Sequence, residues 1–294
     1  MSPEEEALYR VHQDRPLHRP VLVVGLEGWV DAGLGAATAI ASMLAAGSSD
    51  LVATFDGDHF LDQRARRPVV HLVDGVNTEI TWPQTQLRAS QDEAGNDVLY
   101  LVGPEPDFHW RGFVDAMVEL GLRFGTRLVV GLGAFPAPAP HTRPVRLVAT
   151  APPSCAELID KVGRTRGELE VPAGVSSALE VGFADAGIDM VTLWARVPHY
   201  VAGMTFPEAS AALVDGLASV AGLSFDSSEL HRAADASRRQ VDQVISGNSE
   251  HVAMVRKLEE TVDASEANTL GTDNLPSGDE LAAELEQFLR GEDH

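Results

Sequence analysis

The chain has 294 residues, 44% of them hydrophobic, which is enough for one large domain around a sizeable core. Its formal net charge of −22 argues against nucleic acid as a partner, since binding phosphates requires clustered Lys and Arg. The single cysteine, Cys155, excludes an intramolecular disulfide and a cysteine-built zinc site.

No run of about 18 apolar residues is present, so we expect no membrane span. The first ten residues are acidic rather than basic, which argues against a secretion signal. Both observations predict a cytoplasmic protein without a membrane partner.

The first half of the chain alternates strand-like and helical patterns. The pattern predicts a polar lead-in over 1–19, a strand over 20–26, a turn over 28–35, a helix over 36–44, a strand over 51–55, a polar loop over 56–68, hairpin strands over 69–73 and 79–82 around Asp74-Gly75, and a strand over 98–102.

The second half continues this alternation. It predicts a helix over 107–124, strands over 127–132 and 145–149, helices over 154–162 and 176–186, a strand over 189–197 and a helix over 207–220. Strands that alternate with helices indicate an α/β fold with a mostly parallel sheet that is covered by helices on both faces. Ligand sites in such folds lie beyond the carboxyl ends of the strands.

The composition changes near residue 224. Residues 224–294 contain sixteen acidic and six basic residues, a net of 6 − 16 = −10, and show no strand pattern. We therefore expect an α/β core over 1–223 and an acidic helical extension over 224–294. Within the extension, Leu230, Ala234, Val241, Val244 and Ile245 predict one amphipathic helix, and Val252 to Val262 a second. A linker over 264–278 and a short helix containing residues 277–289 complete the prediction.

The first polar motif follows the opening strand, where Glu27, Trp29 and Asp31 stand among four glycines. A glycine-rich turn can offer backbone N–H groups to an anion, but the spacing matches neither a dinucleotide fingerprint nor a P-loop. The two acids would also repel phosphate. We favour a tight turn in which Asp31 caps the helix, and keep these residues as pocket candidates.

Three further polar segments follow predicted strands. Arg64 belongs to an arginine cluster that can hold a carboxylate or phosphate, or can pair with local acids. Asp107 and Arg111 lie in a proline-stiffened turn. There Asp107 can cap the next helix, while Glu105, His109 and Arg111 can point into a cleft. His141, Thr142 and Arg143 lie in a proline-rich loop that can bind a ligand or be purely structural. None of these segments matches a standard metal-ligand set or a hydrolase serine elbow, so we expect no metal and no cofactor.

Together these segments resemble the proteasome assembly chaperone family, in its prokaryotic, chaperone-two-like branch. The resemblance covers roughly residues 18–223. It is carried, in order, by Gly28-Trp29-Val30-Asp31-Ala32-Gly33, Asp62-x-Arg64-x-x-Arg67-Pro68, Trp82-Pro83, Gly103-Pro104-Glu105-Pro106-Asp107 with Trp110-Arg111, and Pro140-His141-Thr142-Arg143-Pro144.

The resemblance implies a nucleoside-phosphorylase-like fold, which is a three-layer α/β/α sandwich with a mostly parallel sheet. It also implies a protein that assembles with itself as a homo-oligomer. Eukaryotic members help to assemble proteasome rings, so a proteasome-related or other assembly is the implied partner. Some relatives are labelled ATP-grasp, but that chemistry needs lysines around ATP and this chain has only Lys161 and Lys257.

Two hypotheses follow. The first is a chaperone-like interaction protein without catalytic turnover. The second is a protein or enzyme that binds a nucleoside-like small molecule in the cleft at the carboxyl end of the sheet. The candidate pocket residues for the second are Glu27, Trp29, Asp31, Arg64, Asp107, Arg111, His141, Thr142 and Arg143.

Overall fold

The structure is a computed structural model that describes residues 8–13, 16–28, 30–165 and 167–269, with side chains as far as 265. Its strands are β1 (Tyr9–Val11), β2 (Val21–Glu27), β3 (Asp50–Phe55), β4 (Val69–Val73), β5 (Val76–Thr81), β6 (Gln86–Gln91), β7 (Asp97–Pro104), β8 (Leu128–Ala137), β9 (Leu147–Thr150) and β10 (Met190–Pro198). Its helices are α1 (Gly35–Ala45), α2 (Gly57–Phe60), α3 (Trp110–Arg123), α4 (Ala156–Asp160), α5 (Val175–Asp185), α6 (Pro207–Ala221), α7 (Ser228–Ser246) and α8 (Ser249–Thr269).

Eight strands form one sheet in the order β1-β3-β6-β7-β2-β8-β10-β9. The central strands β7, β2, β8 and β10 run parallel to one another. Antiparallel strands extend the sheet on both sides. The predicted α/β fold, with a large, mostly parallel central sheet flanked by helices, is confirmed.

Helices cover both faces of this sheet because successive strand residues point to opposite sides. On β2, Leu22 packs in a cluster with Phe113 of α3 and Phe183 of α5. The next residue, Val23, packs in a second cluster with Ala39 of α1 and Leu217 of α6. The continuous apolar runs of the central strands are therefore buried on two sides.

The hairpin of β4 and β5 is a separate two-stranded sheet. Val70 pairs with Ile80 across it, and its turn holds Asp74 and Gly75 at φ values of 51° and 82°. Two consecutive positive φ angles are what a type I′ turn requires, so the Asp-Gly prediction is confirmed. Every residue of both strands is exposed.

Within its described part, which ends at residue 269, the acidic C-terminal segment forms two helices. Leu230, Ala234 and Val241 of α7 and Val255 of α8 are buried, as the predicted apolar faces require. Val244 belongs to the predicted face but is 67% exposed. Helix α8 continues to Thr269, so the linker predicted from residue 264 is wrong over 264–269. The last predicted helix, over 277–289, lies outside the described residues.

Two strands escaped the sequence analysis, β1 because it has only three residues and β6 because it is mostly polar. Strand β1 lies in the segment predicted to be a polar lead-in, and Tyr9 pairs with Phe55 of β3. Strand β6 has only Leu87 and Ala89 as apolar residues, which is too few for a clear period-2 signal. No helix of the described part of the chain is long and apolar enough to cross a membrane.

Candidate functional site

The turn after β2 is organised around the carboxylate of Asp31. Its Oδ1 accepts the backbone N–H of Ala36 at 2.8 Å, and its Oδ2 accepts that of Ala37 at 3.0 Å. Two of the unpaired N–H groups at the start of α1 are therefore satisfied. Burial raises the pKa of Asp31, and these backbone hydrogen bonds oppose the rise. The helix-start role weighed from the sequence is present.

Gly33 allows this turn to lie close to the segment before α6. Its φ is 64°, and a Cβ at this position would lie 2.7 Å from Cβ of Phe206. The Gly33 N–H donates to the carbonyl oxygen of Ala202, and its own carbonyl accepts the N–H of Phe206, both at 2.8 Å. The glycine is needed for this close approach.

The turn and the proline-rich loop lie at the same edge of the sheet. Strands β2 and β8 are parallel neighbours, with Val24 opposite Gly131. Beyond them, Asp31 forms a bridge with Ala134 of β8. Residues 25–33 and 134–144 therefore meet at one carboxyl edge of the sheet, as loops that follow parallel strands do.

His141 lies at this edge and is 1% exposed. Its backbone N–H and its ring Nδ1 both contact the hydroxyl oxygen of Tyr200, at 2.8 and 2.7 Å. The Tyr200 oxygen accepts the backbone N–H of His141, so the Tyr200 hydroxyl proton is available to donate to Nδ1. The ring proton of His141 is then on Nε2, which donates to Oδ1 of Asp242 at 3.0 Å. Burial raises the pKa of Tyr200 to about 12, which keeps the hydroxyl protonated. His141 thus connects the sheet edge to α7.

The next two residues connect the same loop to α8. The hydroxyl of Thr142 donates to Oε1 of Glu259 at 2.5 Å. Arg143 donates to both carboxylate oxygens of Asp263, at 2.9 and 2.7 Å, and to Glu259 at 3.1 Å. These acids raise the pKa of Arg143, and the hydrogen bond from Arg143 lowers that of Asp263. A bidentate pair of this kind fixes orientation as well as distance.

Asp107 joins the loops that follow β3 and β7. Its Oδ2 accepts the backbone N–H of Asp62 at 2.8 Å and Nε of Arg66 at 3.1 Å. Helix α3 begins at Trp110 with His109 as its cap residue, so Asp107 braces two loops and is not the cap proposed from the sequence. His109 has a φ of 56° and its ring stacks on that of His59 at 4.3 Å.

The predicted pocket residues fall into separate environments. His141, Thr142 and Arg143 contact the C-terminal helices, and Asp31 lies on the same sheet edge. Asp107 binds the neighbouring loop. The side chains of Glu27, Arg64 and Arg111 are exposed, and Trp29 lies outside the described residues. Among the residues that the structure describes, no three His, Cys, Asp or Glu side chains come together as metal ligands would.

The sequence analysis missed the residues that hold the proline-rich loop. Tyr200 follows β10, and Asp242, Glu259 and Asp263 come from the C-terminal helices. One signal was available: Glu259 and Asp263 are four residues apart on a predicted helix, so they share one face and can grip a single arginine. The arginine that they bind, Arg143, lies more than a hundred residues away in the sequence. Only the fold shows that it is their partner.

Comparison with known proteins finds a matching family model and several similar solved structures. A model described as the PAC2 family matches residues 25–245. A protein of unknown function from Mycobacterium tuberculosis is 33% identical over 91% of this chain and 94% of its own, with a TM-score of 0.82. One of unknown function from Corynebacterium glutamicum is 29% identical over 89% and 99%, also with a TM-score of 0.82.

A third solved structure carries a functional description. It is a proteasome-assembly chaperone homologue from Mycobacterium tuberculosis, 32% identical over 80% of this chain and 99% of its own, with a TM-score of 0.73. A search of curated proteins gives no match.

Proposed function

We propose, because this chain belongs to the PAC2 family, that it is a chaperone-like assembly protein. It works in the cytoplasm through protein–protein contacts. These include contacts with further copies of itself. The similarity to a proteasome-assembly chaperone homologue supports this class of function. A proteasome-related complex is one assembly that such a protein can serve.

The exposed hairpin is the observation that carries the proposal. Seven large apolar side chains in this short ribbon lie in solvent: Val69, Val70, Leu72, Val73, Val76, Ile80 and Trp82. A two-stranded hairpin is marginally stable in water by itself. An apolar patch of this kind on a protein surface marks a contact site, because its exposure costs free energy until another surface covers it.

A second copy of this chain is the occupant that the charges favour. The chain has a net charge of −22, so copies repel one another over most of their surfaces. The hairpin contains two acidic residues, Asp74 in its turn and Glu79 in β5, so its apolar strands are a low-charge point of approach. At its base, the exposed Arg64 and Arg67 complement the acidic surface of a neighbouring copy.

The test is a change of assembly size on polar substitution of the hairpin. We expect the wild-type protein to elute as an oligomer in size-exclusion chromatography with light scattering, and the double variant Val70→Asn, Leu72→Asn to elute nearer the monomer mass of 31.4 kDa. Leu122→Asn is the matched control, because Leu122 is an equally exposed residue of α3. A wild-type monomer, or a hairpin variant that keeps the wild-type mass, would refute self-association through this surface.

A further inference from the structure

We propose that the segment over residues 167–173 of one copy adds as a third strand to the free edge of β4 in the hairpin of a second copy. This inference rests on the self-association proposed above, and it names the surface that receives the hairpin. Because the two contacting surfaces are different, the contact joins copies head to tail.

Strand β4 offers the free edge. It pairs with β5 on one side only, and the hairpin is not part of a larger sheet. Such an edge presents unpaired N–H and C=O groups to an incoming strand. Strand β4 contains no acidic residue, whereas β5 contains Glu79. The β4 edge is therefore the one that an acidic segment can approach without repulsion.

The segment over 167–173 has the pattern of a strand without a partner. It is an exposed, irregular connection between α4 and α5, and in the described part of the chain its backbone groups make no hydrogen bond to other backbone groups. Leu169 and Val171 are 54% and 74% exposed. Their spacing of two places both side chains on one face of an extended segment. Val171 also precedes Pro172, and a residue before proline favours extended backbone.

Charge complementarity selects the hairpin as the occupant of this segment. Glu168 and Glu170 alternate with the two apolar residues of the segment. Arg64 and Arg67 lie just before β4, and none of these four charged side chains forms an ion pair with another described residue. Strand addition brings opposite charges together and covers apolar side chains of both surfaces. The charges then determine partner choice and orientation, and the buried apolar area supplies most of the affinity.

The first experiment measures the assembly mass by size-exclusion chromatography with light scattering. We expect the double variant Leu169→Asn, Val171→Asn to shift toward the monomer mass, as the hairpin variant does, because both variants remove apolar area from one contact. Val181→Asn is the matched control, since Val181 is 60% exposed on α5 and lies outside the segment. If the hairpin variant dissociates while the segment variant keeps the wild-type mass, this inference is overturned and self-association through the hairpin stands.

The second experiment reverses the charges and measures the dissociation constant by analytical ultracentrifugation. We expect Arg64→Glu, Arg67→Glu and, separately, Glu168→Arg, Glu170→Arg to weaken association by about tenfold or more. The second pair lowers the negative charge of the chain, so general repulsion between copies does not explain its loss.

The fourfold variant that combines both reversals has the wild-type net charge of −22, because the two changes cancel. It should recover association, since the opposite charges again meet across the contact. A fourfold variant that associates no better than either pair of reversals would contradict strand addition by this segment.

Discussion

Asp31 shows how one partly buried carboxylate organises the turn at the sheet edge. The side chain of Asp31 accepts two N–H groups at the start of α1, and its backbone forms a β-bridge with Ala134 of β8. The hydrogen bonds offset part of the cost of burying the charge, but the pKa of Asp31 is raised all the same. The same residue therefore supports local structure and makes stability depend on pH.

We expect Asp31→Ala to destabilise the protein by about 1–2 kcal/mol, because the start of α1 loses its acceptor. Asp31→Asn should cost less, since one amide oxygen remains. Urea unfolding of the three proteins at one pH measures both costs.

The pH dependence of this residue has a definite sign. Since the folded pKa of Asp31 is raised, its favourable contribution is complete below the unfolded value of about 3.9 and is lost as the pH rises through the folded pKa. The stability difference between wild type and Asp31→Asn should therefore shrink as the pH rises over that window. A stability difference between the two proteins that grows with pH would contradict a raised pKa of Asp31.

At the scale of elements, α7 and α8 bind the α/β body by two kinds of contact. Apolar contacts bury Leu230, Val241 and Val255. Polar contacts join Asp242, Glu259 and Asp263 to the loop at residues 141–143. The apolar contacts supply most of the stabilisation, because exposed ion pairs contribute little, and the polar contacts determine where the helices sit.

Two valines of α7 provide a matched test. Val241 is 6% exposed and Val244 is 67% exposed, although they lie in the same helix. We expect Val241→Ala to lower the free energy of unfolding by about 1–3 kcal/mol and Val244→Ala to change it by less than about 0.5 kcal/mol. Chemical unfolding of both variants distinguishes the two residues.

Deletion of all residues after Gly222 extends the same test to both helices. Each large apolar side chain that loses its burial costs roughly 1.5–3 kcal/mol, so the truncated protein should unfold at a lower temperature. An unchanged midpoint together with loss of partner binding would show that the segment recruits partners and does not stabilise the body.

For the whole molecule, the implied nucleoside-phosphorylase-like fold does not entail the reaction of that fold family. Glu27 ends β2 and Asp31 lies in the turn that follows, and the charges of both oppose phosphate. The Gly33 N–H already donates to the carbonyl oxygen of Ala202. We therefore expect no phosphate-dependent cleavage of nucleosides. An assay with inosine and inorganic phosphate checks this, and steady turnover that disappears in Arg64→Ala would contradict it.

The sequence by itself determined the elements whose patterns are local. The central strands and main helices follow from apolar runs and helical spacing, and the hairpin follows from Asp74-Gly75. The family resemblance likewise rested on short motifs, and it agrees with the family model that matches residues 25–245. Local patterns suffice here because strand and helix periodicity arise from neighbouring residues.

Only the tertiary structure decided what the polar motifs contact. The sequence predicted that Asp107 can cap a helix, but in the structure it joins two loops. The sequence made His141 a candidate ligand-binding residue, but in the structure it binds Tyr200 and Asp242. The partner of a polar side chain depends on which distant segments the fold brings within hydrogen-bond reach. This distance in space cannot be deduced from composition or from spacing along the chain.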